Sequence, residues 1–167
     1  VEAELPRRKV PEFKTTLNQL DELIKAKSNA SKIHSGYEAA IKAIDGAIAA
    51  IPDTKRQSPQ FVMQVIDDLL DTAQEEYKAG VADGKVVELI EYQDSRGFVL
   101  YAENLYQGIS AQLKQKNSEA SAAISSSMTE LKQAWPSVNP PEQATKTPVA
   151  VAKLIAGIQE NFAKVSQ

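Results

Sequence analysis

Apolar residues along this chain recur every three or four positions through most of its length, and that spacing constrains the fold more than any other feature. Over residues 11–28, Phe13, Leu17, Leu20 and Ile24 form one stripe of an amphipathic helix. Residues 31–51 repeat the rule with Ile33, Tyr37, Ile41, Ile44, Ile48 and Ile51, thickened by Ala40 and Ala47, until Pro52 ends the run. A third helix is predicted to start at Ser58-Pro59, a hydroxyl cap followed by a proline whose missing N–H costs nothing in a first turn. Its stripe is Phe61, Val62, Val65, Ile66, Leu69, Ala73 and Tyr77, and Gly80 with Asp83-Gly84 marks a break behind it. Residues 85–116 then predict one long helix, roughly 45 Å at the usual rise per residue. Ile124, Met128, Leu131 and Trp135 carry a further stripe, Pro136, Pro140 and Pro141 force a non-helical excursion, and Thr147-Pro148 opens a last helix with Val151, Leu154, Ile155, Ile158 and Phe162 on one face. No strand candidate exceeds four residues. The fold class expected is all-α, an up-and-down helical bundle of four to six helices, with residues 1–10 as an N-terminal extension and 11–167 as one domain.

Charge and composition exclude several functions. With 19 basic and 22 acidic side chains the net charge is -3, and the basic residues are scattered rather than gathered on one face. Nucleic acid is therefore not an expected partner. The longest uncharged apolar-rich run, residues 46–52, is far short of the roughly 20 residues that span a bilayer. The absence of cysteine removes disulfides, thiolate zinc sites and a cysteine nucleophile, but it leaves the compartment open. His34 is the only histidine, so any Ser-His-Asp arrangement would have to include it. Gly80, Gly84 and Gly97 have neither the spacing nor the preceding strand of a phosphate loop. The chain opens at Val1 with no methionine and no apolar signal core, the expected appearance of a start from which a signal peptide has been removed.

One local conflict stands out on the long helix. Traced back from Leu113 through Ile109, Leu105, Tyr101 and Phe98, its apolar stripe arrives at Asp94 and Glu91 before resuming with Ile90 and Val87. An unpaired carboxylate in an apolar interior is costly, so either the stripe is rotated here or the acids have partners. Arg96 lies two residues from Asp94, on the opposite face. Glu88, Glu91 and Asp94 stand at i, i+3 and i+6, with the phenols of Tyr92 and Tyr101 nearby, and a facing helix can add His34 and Glu38, an i, i+4 pair around Tyr37. Together they would form an oxygen-rich site with one imidazole, suited to ferric iron or manganese and open to zinc or copper. The alternative is a plain solvated face. Glu75-Glu76-Tyr77 reads as surface, and Trp135 before proline as a plug closing one end of the core.

The segment Gly84-Lys85-Val86-Val87-Glu88-Leu89-Ile90-Glu91-Tyr92-Gln93-Asp94-Ser95-Arg96-Gly97-Phe98-Val99, with Trp135-Pro136 and Pro140-Pro141 behind it, resembles the periplasmic helical domains associated with high-affinity iron permeases and the related imelysin-like iron-uptake proteins. The resemblance implies a periplasmic or extracellular, non-enzymatic bundle that binds metal, iron foremost, or delivers it to a membrane permease. It departs from the imelysin-type His-x-x-Glu motif, because His34 is followed by Ser35-Gly36-Tyr37 and the glutamate comes one position later, at Glu38. The residues it carries over are Glu88, Glu91 and Asp94, with Glu38 and His34 as additions and Tyr37, Tyr92 and Tyr101 supplying further oxygens or holding the acids in place. The competing expectation is a helical interaction or scaffolding module with its acids exposed and no metal. A two-carboxylate hydrolase fits least, since acids paired on one helix lack a cleft to push their pKa values apart.

Overall fold

The computed structural model describes residues 13–166, and their backbone is almost wholly helical. The expected extension over residues 1–10 lies outside the described residues. In chain order the elements are α1 (Phe13–Lys25), α2 (Ala30–Ala49), α3 (Asp53–Arg56), α4 (Pro59–Gly80), β1 (Val81–Ala82), β2 (Lys85–Val86), α5 (Leu89–Lys116), α6 (Ser118–Lys132) and α7 (Pro148–Ser166). The all-α fold class holds. Where the sequence reading treats 11–167 as one domain, the chain divides into two compact units, one ending at Arg56 and the other beginning at Gln57.

In the first unit α1 packs on α2. The two approach closely at Gly36, where a Cβ would stand 2.8 Å from Leu23 Cδ1. Asn29 starts α2, its side chain accepting the Lys32 backbone N–H at 3.0 Å. Ala40 and Ala47 are the buried residues of α2, and the four-residue α3 is held by an ion pair between Arg56 and Asp53.

The second unit contains the four longer helices α4 to α7, with α4 against α5 and α7, and α6 against α5 and α7. Val62, Met63, Ile66, Leu70, Ala73 and Tyr77 line the buried face of α4, which shares Val62, Ile66, Ala73 and Tyr77 with the predicted stripe, adds Met63 and Leu70, and leaves Phe61, Val65 and Leu69 at its margins. The break behind α4 is a small hairpin in which Val81 pairs with Val86 and Ala82 with Lys85. Asp83 (φ 50°) and Gly84 (φ 73°) make its turn. Two positive φ values in succession are what a tight two-residue hairpin demands, and Asp-Gly meets that demand at least cost. The hairpin absorbs residues 81–86, so α5 begins at Leu89 rather than near 85. At its far end Asn117 both stops α5, through its backbone N–H to Leu113 O, and starts α6, through its side chain accepting the Ala120 N–H at 3.0 Å.

The buried face of α5 runs Tyr92, Ser95, Val99, Ala102, Tyr106, Ile109 and Leu113. This corrects the stripe traced through Phe98 and Tyr101. The helix is rotated by about one position, which leaves Tyr101, Ile90 and Val87 exposed and Phe98 and Leu105 at the margin. The spacing alternates three and four throughout, but Ser95 and Ala102 occupy two of its positions and do not look like core residues in a sequence. Ser95 is buried because its hydroxyl has two partners: it donates to Tyr92 O at 2.8 Å and accepts the Trp135 indole N–H at 2.8 Å. Trp135 closes this end of the core as expected, edge-on to Tyr77 with ring centroids 4.8 Å apart. The proline-bearing loop beyond it is tied down at Tyr77, whose hydroxyl donates to Lys146 O at 2.8 Å, and at the hairpin, where the Ala144 N–H donates to Gly84 O at 2.8 Å.

Candidate functional site

The site is built where the last turn of α4 meets the first turn of α5. Gly80 makes that meeting possible, since a Cβ there would lie 2.9 Å from Tyr92 N and 3.2 Å from Glu88 O. Its carbonyl accepts the Val87 N–H at 2.8 Å, locking the chain's reversal. Glu76, one turn before Gly80, and Glu91, in the first turn of α5, are thereby brought side to side. Their carboxyl groups lie close enough for Glu91 to raise the Glu76 pKa. The Glu76 carboxyl sits above its ordinary pKa, first through the hydrogen bond to Glu91, then through desolvation and the negative charges of Glu91, Asp94 and Glu75. Both members remain partly exposed.

The sequence-predicted ligands scatter around this pair. Glu91 is half-buried and turned to α4, whereas Asp94 is exposed and acts on the pair through its charge. Glu88 is exposed just ahead of α5, with its backbone carbonyl accepting the Tyr92 N–H at 3.2 Å. Tyr92 is a core residue, its hydroxyl 3.5 Å from Ser137 O, and Tyr101 is exposed along α5. His34, Tyr37 and Glu38 belong to the first unit, while the three acids belong to the second. There His34 Nε2 stands 3.3 Å from Glu38 Oε1, so the i, i+4 spacing makes a local exposed pair, and Tyr37 is exposed too. Among the described residues no group of three or more His, Asp or Glu side chains is arranged to hold a metal ion. The expectation that Glu91 and Asp94 both lie on the inward side of α5 fails for Asp94, which faces water because the helix is rotated, while Glu91 is half-buried.

Glu76 is the site residue that sequence reasoning passed over as surface. A cross-helix pair leaves no spacing signal in one helix, and the nearest clue was Gly80, four residues on, which marks a close backbone approach.

A family model, the iron permease-associated 4-helix bundle domain, matches residues 52–167. The chain belongs to that family. The match takes in the whole second unit, and α4, α5, α6 and α7 are the four helices of the bundle. It bears out the resemblance to iron permease-associated helical domains drawn from the Gly84–Val99 segment and the Trp-Pro and Pro-Pro pairs, and links the chain to iron uptake through a permease. No curated protein and no solved structure matches the chain. Among the described residues no helix is long and apolar enough to cross a membrane.

Proposed function

We propose that this iron permease-associated bundle is a non-enzymatic, extracytoplasmic accessory that captures iron transiently and hands it to the permease. Family membership over residues 52–167 is the observation that carries this reading. The carboxylate pair Glu76–Glu91, with Asp94 and Glu75 adding negative charge, is its point of contact with the cargo. Carboxylate oxygens are hard donors suited to iron, with manganese, zinc and copper as competitors. Two partly exposed acids form a shallow, open contact, and such a contact exchanges its ion readily, which suits delivery better than storage. An ion and a proton compete for the Glu76 carboxyl, whose pKa is raised, so capture weakens as the pH falls. Glu88 supplies a further carboxylate beside the pair, whereas Glu38 and His34 form a second, separate contact on α2. Calorimetric titration with ferrous ion under anaerobic conditions tests the assignment. Binding is expected in the parent protein and lost in an E76Q/E91Q double variant, while heats unchanged by that substitution overturn it.

A second reading, an interaction module without bound metal, draws support from Val87, Leu89 and Ile90. These stand exposed in a row at the start of α5, Ile90 to 69 %. Apolar side chains left in water beside a tight hairpin are the kind of surface that a partner covers. Amide exchange separates the two readings. Ferrous ion should protect the Glu76 and Glu91 turns alone, and a docked protein should protect the hairpin with them.

A further inference from the structure

Beside Trp135, α5 and α6 enclose a cavity of about 170 Å³ lined by Arg96, Val99, Leu100, Lys132 and Trp135. Three of these walls are apolar and two carry positive charge. Lys132 is already matched, its Nζ 2.6 Å from Glu103 Oε1 in a largely buried ion pair. Arg96 is not. Its Nε is closed off from water without a hydrogen-bond partner, and its guanidinium makes no ion pair among the described residues. A buried N–H with no partner is uncommon, because each hydrogen bond lost to water must be replaced. The charge acts locally, opposing the upward push that burial gives the Tyr92 phenol. Glu103 does not neutralise it, being engaged by Lys132.

We propose that this cavity binds a small organic carboxylate, its carboxyl group gripped by the planar fork of Arg96 and its carbon frame lying on Trp135, Val99 and Leu100. The fork matches the two oxygens of a carboxylate in geometry as well as charge. The apolar walls select an organic anion over an inorganic one. The volume corresponds to about six waters of liquid, below the roughly 300 Å³ where drug-sized sites begin, so the ligand is a small acid. The site lies apart from the Glu76–Glu91 pair and does not depend on a metal there.

Trp135 is the only tryptophan in the chain, so its emission and its indole N–H resonance report on this cavity directly. Titration with sodium succinate at constant ionic strength should give a saturable change in both signals. Sodium chloride and sodium phosphate should not reproduce it. Affinity should fall about tenfold or more in R96Q and less in R96K, which keeps the charge and loses the fork. Should R96Q fail to fold, the indole shift in the parent protein and the R96K titration still decide the matter. No saturable response to succinate, an equal response to phosphate, R96K and R96Q binding as the parent does, or a response to a hexaglutamate peptide alone would each overturn the proposal.

Discussion

Replacing Asp67 by asparagine is expected to stabilise the second unit at neutral pH and to leave its stability nearly unchanged in acid. Asp67 lies on α4 at the mouth of a cavity of about 290 Å³ whose walls include Gln64 of α4 and Gln159 and Phe162 of α7. Its Oδ1 is closed off from water with no hydrogen-bond partner. Gln159 does not supply one, because its Nε2 donates to Asp71 Oδ1 at 2.8 Å instead. Burial, followed by the charges of Asp71 and Asp68, pushes the Asp67 carboxyl from 3.8 up to about 6. The folded state therefore holds this proton more tightly than the unfolded chain. The associated stability is fully present below about 3.8, drains away as the pH rises to about 6, and is gone above that. At 1.36 kcal/mol per unit the loss has a ceiling of about 3 kcal/mol, and solvent screening at this half-exposed position reduces it to about 1 kcal/mol. Asparagine keeps the shape and carries no charge. Urea unfolding followed by Trp135 emission should make Asp67→Asn about 1 kcal/mol more stable than the parent at pH 7.5, and equal to it at pH 3.5. A variant that is no more stable at pH 7.5, or a gap independent of pH, refutes the reasoning.

Gly80→Ala should cost about 1–3 kcal/mol by forcing α4 and α5 apart, since the new methyl meets backbone at 2.9 Å rather than a side chain that can move. The same variant should lower the Glu76 pKa toward its ordinary value, measured by carbon-detected titration of the carboxyl, because Glu91 and its charge move away. Ser95→Ala strands the Trp135 indole N–H in the core and should cost about 1–3 kcal/mol, checked by thermal unfolding and by a shifted indole resonance. Asn117→Ala removes the side-chain cap of α6 and should cost about 1 kcal/mol in urea unfolding, with the Ala120 amide losing exchange protection.

The local grammar of this chain was open to reading from the start. Helix spans, the Pro59 and Pro148 starts and the stop at Pro52 depend on contacts within a turn or two, which neighbouring residues alone specify. Gly80 and Asp83-Gly84 gave away a break, though not the hairpin that fills it. The rotation of α5 was hidden, because Ser95 and Ala102 become core residues only through what packs against them. Ser95 needs Trp135, 40 positions away, to satisfy its hydroxyl. Glu76 and Glu91 are likewise 15 residues apart and meet only because Gly80 lets two helices touch. Sequence by itself determined an all-helical body and the family it resembles, since both are carried by short-range pattern. Tertiary structure alone decided which acids lie beside one another and that Arg96 has no ion pair among the described residues, because a charge's partner is set by the packing of helices and leaves no period in the chain.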